Sequence, residues 1–386
     1  MDYAKKMNEI IYLDNAATTK PLQEVVDTIK EAQENNYGNP SSLHLLGIQA
    51  DNLLSNARKL IAESIGANED QIIFTSGGTE SNNLAIKGST IRKKGKVITT
   101  KIEHPSILNT FKSLENNQEI VYLDVNEQGF VDLEQLKKEV DENTIIVSII
   151  HANNEIGTIQ LIEEISEIIK QKNPKTLFHI DACQSFTKTD LTIEGIDLVS
   201  INSHKIHGPK GIGALFVKNK KLLTQIEQGG HQEFNKRPGT ENLPAIAGFA
   251  KAVEIAMNEK DKNIQLMKNL QKYFIDKVLN EITNTKLNGP KDRLCNNINI
   301  TFSFIEGEAL LMMLNEKNIC VSTGSACSSK VLEASHVILA LGKKYEDAHG
   351  TIRFSLSKFT TKEELDYTIE QLKEAVKVLR KISHLG

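Results

Sequence analysis

Residues 177–217 read LFHIDACQSFTKTDLTIEGIDLVSINSHKIHGPKGIGALFV. Three short runs rich in branched and aromatic residues, Leu177–Asp181, Leu198–Ile201 and Gly213–Val217, have the length and composition of buried strands. Polar, glycine-containing stretches separate them. Working outward, the same signal recurs upstream at Ile72–Thr75, Val97–Thr100, Val121–Asp124 and Ile145–Ile150. Amphipathic stretches such as Glu134–Val140 and Ile162–Ile169 lie between the runs. This alternation predicts an α/β fold: a mainly parallel central sheet flanked by helices. Such sheets bind ligands beyond the carboxyl ends of their strands. Asp181 and Lys205 therefore fall where a site belongs.

Downstream the pattern changes. Two helical stretches, Leu243–Met257 and Ile264–Glu281, lead to a strand at Ile298–Phe302. Thr361 and Glu364 form a capping box for a last helix, whose apolar face runs Leu365, Ile369, Leu372, Val376, Leu379 and Ile382. The reading is a large domain over 16–260 and a smaller α+β domain built from 1–15 with 261–386.

Composition narrows the function. The 386 residues carry 46 Lys and Arg against 50 Asp and Glu, so no basic excess suggests a nucleic-acid partner. The longest apolar runs fall far short of the ~20 residues that cross a bilayer, and the N-terminus lacks the apolar stretch of a signal peptide. A cytoplasmic protein is expected. The four cysteines, Cys183, Cys295, Cys320 and Cys327, include no C-x-x-C pair, so neither a zinc site nor a disulfide framework is expected.

Four motifs carry chemistry. Thr75–Asn82 (TSGGTESN) joins a strand to a helical stretch at Asn83–Lys93. Its small residues would let a phosphate reach backbone N–H groups at the positive end of a helix, or they simply make a capped turn. Asp181 ends a strand. It either holds a ring nitrogen protonated through a charge-assisted hydrogen bond or forms a turn. Lys205 sits among His, Ser and Gly in the sharp connection to the next strand. A lysine is usually a solvated surface residue, but nearby cations or desolvation can make it a Schiff-base amine. Cys327 lies in STGSACSS (322–329), whose small polar neighbours indicate an exposed, flexible loop rather than core; its thiolate is the reactive form. Cys183, Cys295 and Cys320 are read as buried small residues. Histidines other than His104, His179 and His204, His336 among them, are read as surface or satisfied polar groups.

Together the motifs resemble the cysteine desulfurases of the NifS/IscS type, within the fold-type-I, aminotransferase-like pyridoxal phosphate enzymes. The resemblance spans nearly the whole chain, in order: YLDNAATT (12–19), GNPSSLH (38–44), FTSGGTESNN (74–83), EHPSI (103–107), NNEIGTIQ (153–160), HIDACQS (179–185), SHKIHGPKGIGAL (203–215), GGHQEFNKRPGTEN (229–242), TGSACSS (323–329) and IRFSLSKFTT (352–361). It implies conversion of L-cysteine to L-alanine with sulfur kept as a persulfide on Cys327. Lys205 would carry pyridoxal 5'-phosphate. Asp181 would pair with the ring nitrogen, Gln184 with the ring hydroxyl, and His104 would stack on the ring and move protons. Asn154 would touch the ring oxygen or substrate, and Arg353 would grip the substrate carboxylate as a fork. Gly78, Thr79, Ser203 and His204 would hold the phosphate. Thr240 would reach the phosphate of the partner subunit, which implies a homodimer. No resident metal is expected, although Cys327 would be placed to ligate a nascent iron–sulfur cluster transiently. The acceptors implied are an iron–sulfur scaffold or a tRNA thiolase.

One departure stands out. The family usually carries Ser three residues before the lysine, and this chain has Asn202, whose amide still donates a hydrogen bond. Around the reactive cysteine, Gly-Ser-Ala-Cys-Ser-Ser resembles the NifS/IscS branch rather than the Arg-x-Gly-His-His-Cys type. The rival readings are a selenocysteine or cystathionine-like lyase, a class V aminotransferase, and an idle scaffold for sulfur-assembly proteins.

Overall fold

The computed structural model describes residues 10–323 and 334–383. A short strand β1 (Ile11–Tyr12) precedes the main sheet, which is built from β2 (Ile72–Thr75), β3 (Lys96–Thr100), β4 (Glu119–Leu123), β5 (Thr144–Ile150), β6 (Leu177–Asp181), β7 (Leu198–Asn202) and β8 (Gly213–Val217). Its 7-stranded order is β2-β8-β7-β6-β5-β3-β4. All neighbouring pairs are parallel except those of β8, which runs antiparallel to both β2 and β7. Composition does not distinguish a parallel from an antiparallel strand, so the direction of β8 was not legible.

Both faces of the sheet are covered. Side chains alternate along each strand, so Ile72, Phe74, Ile98, Val147 and Phe178 join one apolar cluster with the helices Gln23–Asn35, Leu45–Glu63, Ile162–Lys172 and Leu243–Asn258. Ile73, Val97, Ile146 and Leu177 point the other way, toward Leu84, Ile86, Ile107 and Phe111 of the helices Gly78–Thr90 and Pro105–Lys112. Burial on two sides explains why these strands read as continuous apolar runs.

A separate apolar cluster joins Ile11 and Leu13 to residues from Met267 to Leu379. It packs the helices Lys260–Glu281, Gly307–Asn315 and Lys362–Ile382 against an antiparallel sheet of β9 (Thr285–Leu287), β10 (Asn297–Phe302) and β12 (Thr351–Ser355), ordered β12-β10-β9. β11 (Ile319–Cys320) pairs in parallel with β1. The N-terminal strand thus packs with the C-terminal third. Residues 13–19 then cross to the main sheet: Asp14 bridges Ser355, and Thr19 Oγ1 donates to the His204 carbonyl at 2.8 Å. Among the described residues, no helix is long and apolar enough to cross a membrane.

The last helix starts as its capping box predicts. Thr361 Oγ1 accepts from Glu364 N at 3.2 Å, and Glu364 Oε2 accepts from Thr361 N at 2.7 Å. Thr361→Ala should lower unfolding free energy by about 1 kcal/mol, read as a reduced urea midpoint with an unchanged slope.

Candidate active site

Parallel register decides where the site lies. β5, β6 and β7 are neighbours, with Ile150 paired to Asp181 and Asp181 to Ser200. Their carboxyl ends therefore open side by side beneath a cavity of about 670 Å³. That size suits a cofactor together with a small substrate. Ile150, Asp181 and Asn202 form its floor. Gly78, Thr79, His104, Asn154, Gln184, His204, Lys205 and Arg353 also line it.

Asp181 is 4% exposed. Its Oδ1 accepts from Cys183 N at 2.9 Å and its Oδ2 from Asn82 Nδ2 at 2.8 Å. Burial works against its charge, but neighbouring His104 and these two donors outweigh it, and the carboxyl sits below its ordinary value. Below it, His179 is clamped between Ser148 Oγ at 2.8 Å and Ser200 Oγ at 3.0 Å, and burial pushes it down to about 4. The strand end is thereby fixed in position.

His104 caps the helix Pro105–Lys112. Ser106 N donates to its Nδ1 at 3.1 Å, which leaves Nε2 to carry the proton of the neutral ring. Burial first, and the charge of Lys205 second, hold His104 down to about 4. His204 is held down to about 4 for the same two reasons, with its Nδ1 3.2 Å from Thr18 Oγ1.

At the other end, the helix Gly78–Thr90 points its amino terminus into the cavity. Gly77, at φ 151°, takes a backbone conformation that side chains other than glycine's rarely adopt. Gly78 lies so close to Cys183 that a Cβ would stand 2.5 Å from its Sγ. Glu80 accepts from Ser76 N at 2.6 Å and pairs with Arg237 at 2.9 Å, fixing the turn. Asn82 Oδ1 and Asn202 Oδ1 are buried without partners, as expected of polar groups that face a ligand. A helix amino terminus for a phosphate, a carboxylate for a ring nitrogen, an imidazole and a primary amine form the donor set that pyridoxal phosphate needs. The residues present fit that group.

Arg353 lies on β12, so the small sheet contributes to the cavity. Its Nη2 donates to Asp14 at 2.9 Å and its Nη1 to the Asn154 carbonyl at 3.2 Å, while Nε is buried without a partner. The protein already holds both ends of the guanidinium, and each terminal nitrogen keeps a second N–H for a ligand.

Two expected site residues stand apart from the lining of this cavity, and a third lies outside the described residues. Ser203 is fully buried but does not line it; its Oγ packs under Gly208. Thr240 is exposed on the segment before the helix Leu243–Asn258 and lies outside the lining. Cys327 lies outside the described residues. Around that stretch, Ser322 exchanges backbone hydrogen bonds with Arg353 at 3.1 and 2.7 Å. On its other side, Ala334, Ser335 and His336 line the cavity. Ser335 Oγ donates to Glu155 Oε2 at 2.5 Å, and His336 Nε2 lies 3.0 Å from the Glu103 carbonyl.

Sequence reasoning missed Asn82, Asp14, Ser106 and His336. Asn82 stands one helical turn after Gly78, a spacing that could have marked it as facing the same side. Asp14 reaches Arg353, and His336 the cavity, only through tertiary packing, and neither carries a local signal.

The aminotransferase class-V family model matches residues 11–368. The chain is similar to the cysteine desulfurase IscS of Dictyoglomus turgidum, at 47% identity over 384 residues, covering 98% of this chain and 97% of that one. A solved NifS-like protein superposes with a TM-score of 0.90 at 35% identity, covering 96% of this chain and all of its own. SspA, solved in complex with cysteine, gives a TM-score of 0.81 at 34% identity, covering 91% of this chain and 100% of that one.

Two predictions follow from the geometry. Gly78→Ala forces its Cβ onto Cys183 Sγ and should cost about 1–3 kcal/mol. Adding Cys183→Ala should recover most of that loss, and a double-mutant cycle of urea midpoints measures the coupling. Glu103 is fully buried, and burial, with Asp181 adding to it, pushes its carboxyl up to about 8. In the unfolded chain it ionises near its ordinary 4.5. The folded state therefore loses stability as pH rises between those values. The advantage of Glu103→Gln over the parent should grow from about pH 5 to about pH 8; urea melts giving a constant difference would contradict this.

Proposed function

This chain belongs to the aminotransferase class-V family and to the cysteine desulfurases within it, and from that premise we propose that it uses pyridoxal phosphate on Lys205 to move the sulfur of L-cysteine to Cys327. The observation that carries the reading is the convergence of Lys205, Asp181, His104 and Arg353 on one cavity, whose wall is completed by the residues flanking the Cys327 stretch.

When bound, pyridoxal phosphate supplies an electron-withdrawing ring that stabilises negative charge at the amino acid's α-carbon. Asp181 holds the ring nitrogen protonated from the floor of the cavity. Gly78 and Thr79 offer helix-terminal N–H groups to the phosphate, with His204 and the Asn202 amide beside them, and Ser203 supports this loop from below. Gln184, whose Nε2 is committed to the Ala16 carbonyl at 2.9 Å, would serve the ring hydroxyl. Arg353 and Asn154 orient the substrate carboxylate, the guanidinium already aimed by Asp14. The Lys205 amine removes the α-proton. His104, neutral above about pH 4, donates from Nε2 to the departing side. The Cys327 thiolate attacks the substrate sulfur. The carbon–sulfur bond breaks, its electron pair stays with carbon, and protonation gives alanine. The sulfur remains as the Cys327 persulfide, for delivery to an iron–sulfur scaffold or a tRNA thiolase.

We read the active form as a cytoplasmic homodimer. Tyr37, Leu43, Leu45 and Ile48 expose large apolar surfaces close together in sequence, which favours burial against a second copy. Thr240 is then free to meet the partner's phosphate. The three described cysteines are free thiols, which suits a reducing compartment.

Lys205→Ala should abolish both the visible absorbance of the cofactor-loaded protein and alanine formation. Cys327→Ser should keep the colour but form no persulfide. Turnover by the first variant, or persulfide on Cys183 or Cys320, would overturn the assignment.

A further inference from the structure

Lys205 also borders a second, much smaller cavity of about 50 Å³. Lys188, Lys260, Lys358, His207 and Asn263 line it with Lys205, and among the described residues no carboxylate does. Among the described residues, Lys205 is the one common to the linings of both cavities. One chamber thus presents Asp181 and His104 to this lysine, and the other presents cations.

Two of those cations are matched. Lys260 lies 2.8 Å from Asp190, and Lys358 lies 2.6 Å from Glu259. Lys188 differs. It is only 9% exposed. Its Nζ donates to the Gln184 carbonyl at 3.0 Å, and no carboxylate of the described residues lies within ion-pair distance of it. Its other charged or titratable neighbours are Lys205 and the thiols of Cys183 and Cys295. Both thiols are raised by burial and so stay protonated at neutral pH. His207, across the cavity, is held down to about 4 by burial first and stays neutral. Lys188 is therefore the unmatched charge on this side of Lys205. A buried ammonium without a counter-ion is a cost to the fold, and such costs concentrate at functional sites. Burial, with Lys205 adding to it, lowers Lys188 to about 8, which leaves it mostly cationic at neutral pH.

We infer that Lys188 is a positioning residue: its ammonium places a positive charge beside Lys205, on the side away from the substrate, and so favours the neutral, nucleophilic form of the Lys205 amine. A like charge disfavours the charged form of its neighbour, and a lysine beside a second cation is activated as a nucleophile. The inference rests on Lys205 as the reactive amine proposed above.

The test reads the amine itself. The full-length chain, freed of cofactor, is pulsed with acetic anhydride across about pH 6 to 11, and acetylation of Lys205 is followed by mass spectrometry. In Lys188→Met the midpoint should rise by about one pH unit, a roughly tenfold gain in proton affinity. Lys188→Arg, which keeps the charge, should retain the parent's midpoint. The methionine variant should also melt no lower than the parent at neutral pH, because it removes an unmatched buried charge. An unchanged midpoint in Lys188→Met, or the same rise in Lys188→Arg, overturns the inference. A lower melting temperature with no midpoint shift would mark Lys188 as merely structural. If Lys205 were not the cofactor's residue, the shift would survive, and the error would surface as activity retained in Lys205→Ala.

Discussion

Asp181 ends β6 with both carboxylate oxygens occupied, one by Cys183 N–H and the other by the Asn82 amide, and it is almost sealed from water. A charge that deep is tolerated only where fixed dipoles replace its hydration. Here two elements must meet at one point to supply them: the turn after β6 and the helix Gly78–Thr90. Once they do, the helix amino terminus opens on the same cavity as the carboxylate. A ligand that carries a phosphate at one end and a basic ring nitrogen at the other then has one orientation available.

The second constraint joins the two halves of the chain. Residues 13–19 leave the small apolar core, bridge Ser355 at Asp14 and reach His204 at Thr19. Asp14 holds Arg353 on the way. The group that would recognise a substrate carboxylate and the group that would carry the cofactor thus belong to different sheets but share one strap. Any movement of the small sheet would carry Arg353 with it.

Much of this was legible beforehand. The strands Ile72–Thr75, Leu177–Asp181 and Gly213–Val217 fall where their apolar runs place them, because burial on two faces leaves a continuous signal. The capping box of the last helix is a local device and reads locally. The start of the helix at Gly78, rather than Asn83, was not legible: small residues suggest a turn, and only packing against Cys183 tells that the helix has already begun. Asp14 and His336 were invisible for a related reason. Their roles arise from contacts between segments more than two hundred residues apart, and no periodicity encodes these. Ser203 is placed less directly than its motif suggests: its Oγ, buried without a partner, lies beneath the loop at Gly208 and outside the cavity lining.

The central claim is a covalent one, that a single amine at the junction of β7 and β8 carries the cofactor. Borohydride reduction of the cofactor-loaded protein, followed by peptide mapping, tests it directly. The account predicts the reduced pyridoxyl mass on the peptide containing Lys205 and on no other. The same mass on Lys188 or Lys210, or no covalent label at all, would contradict it.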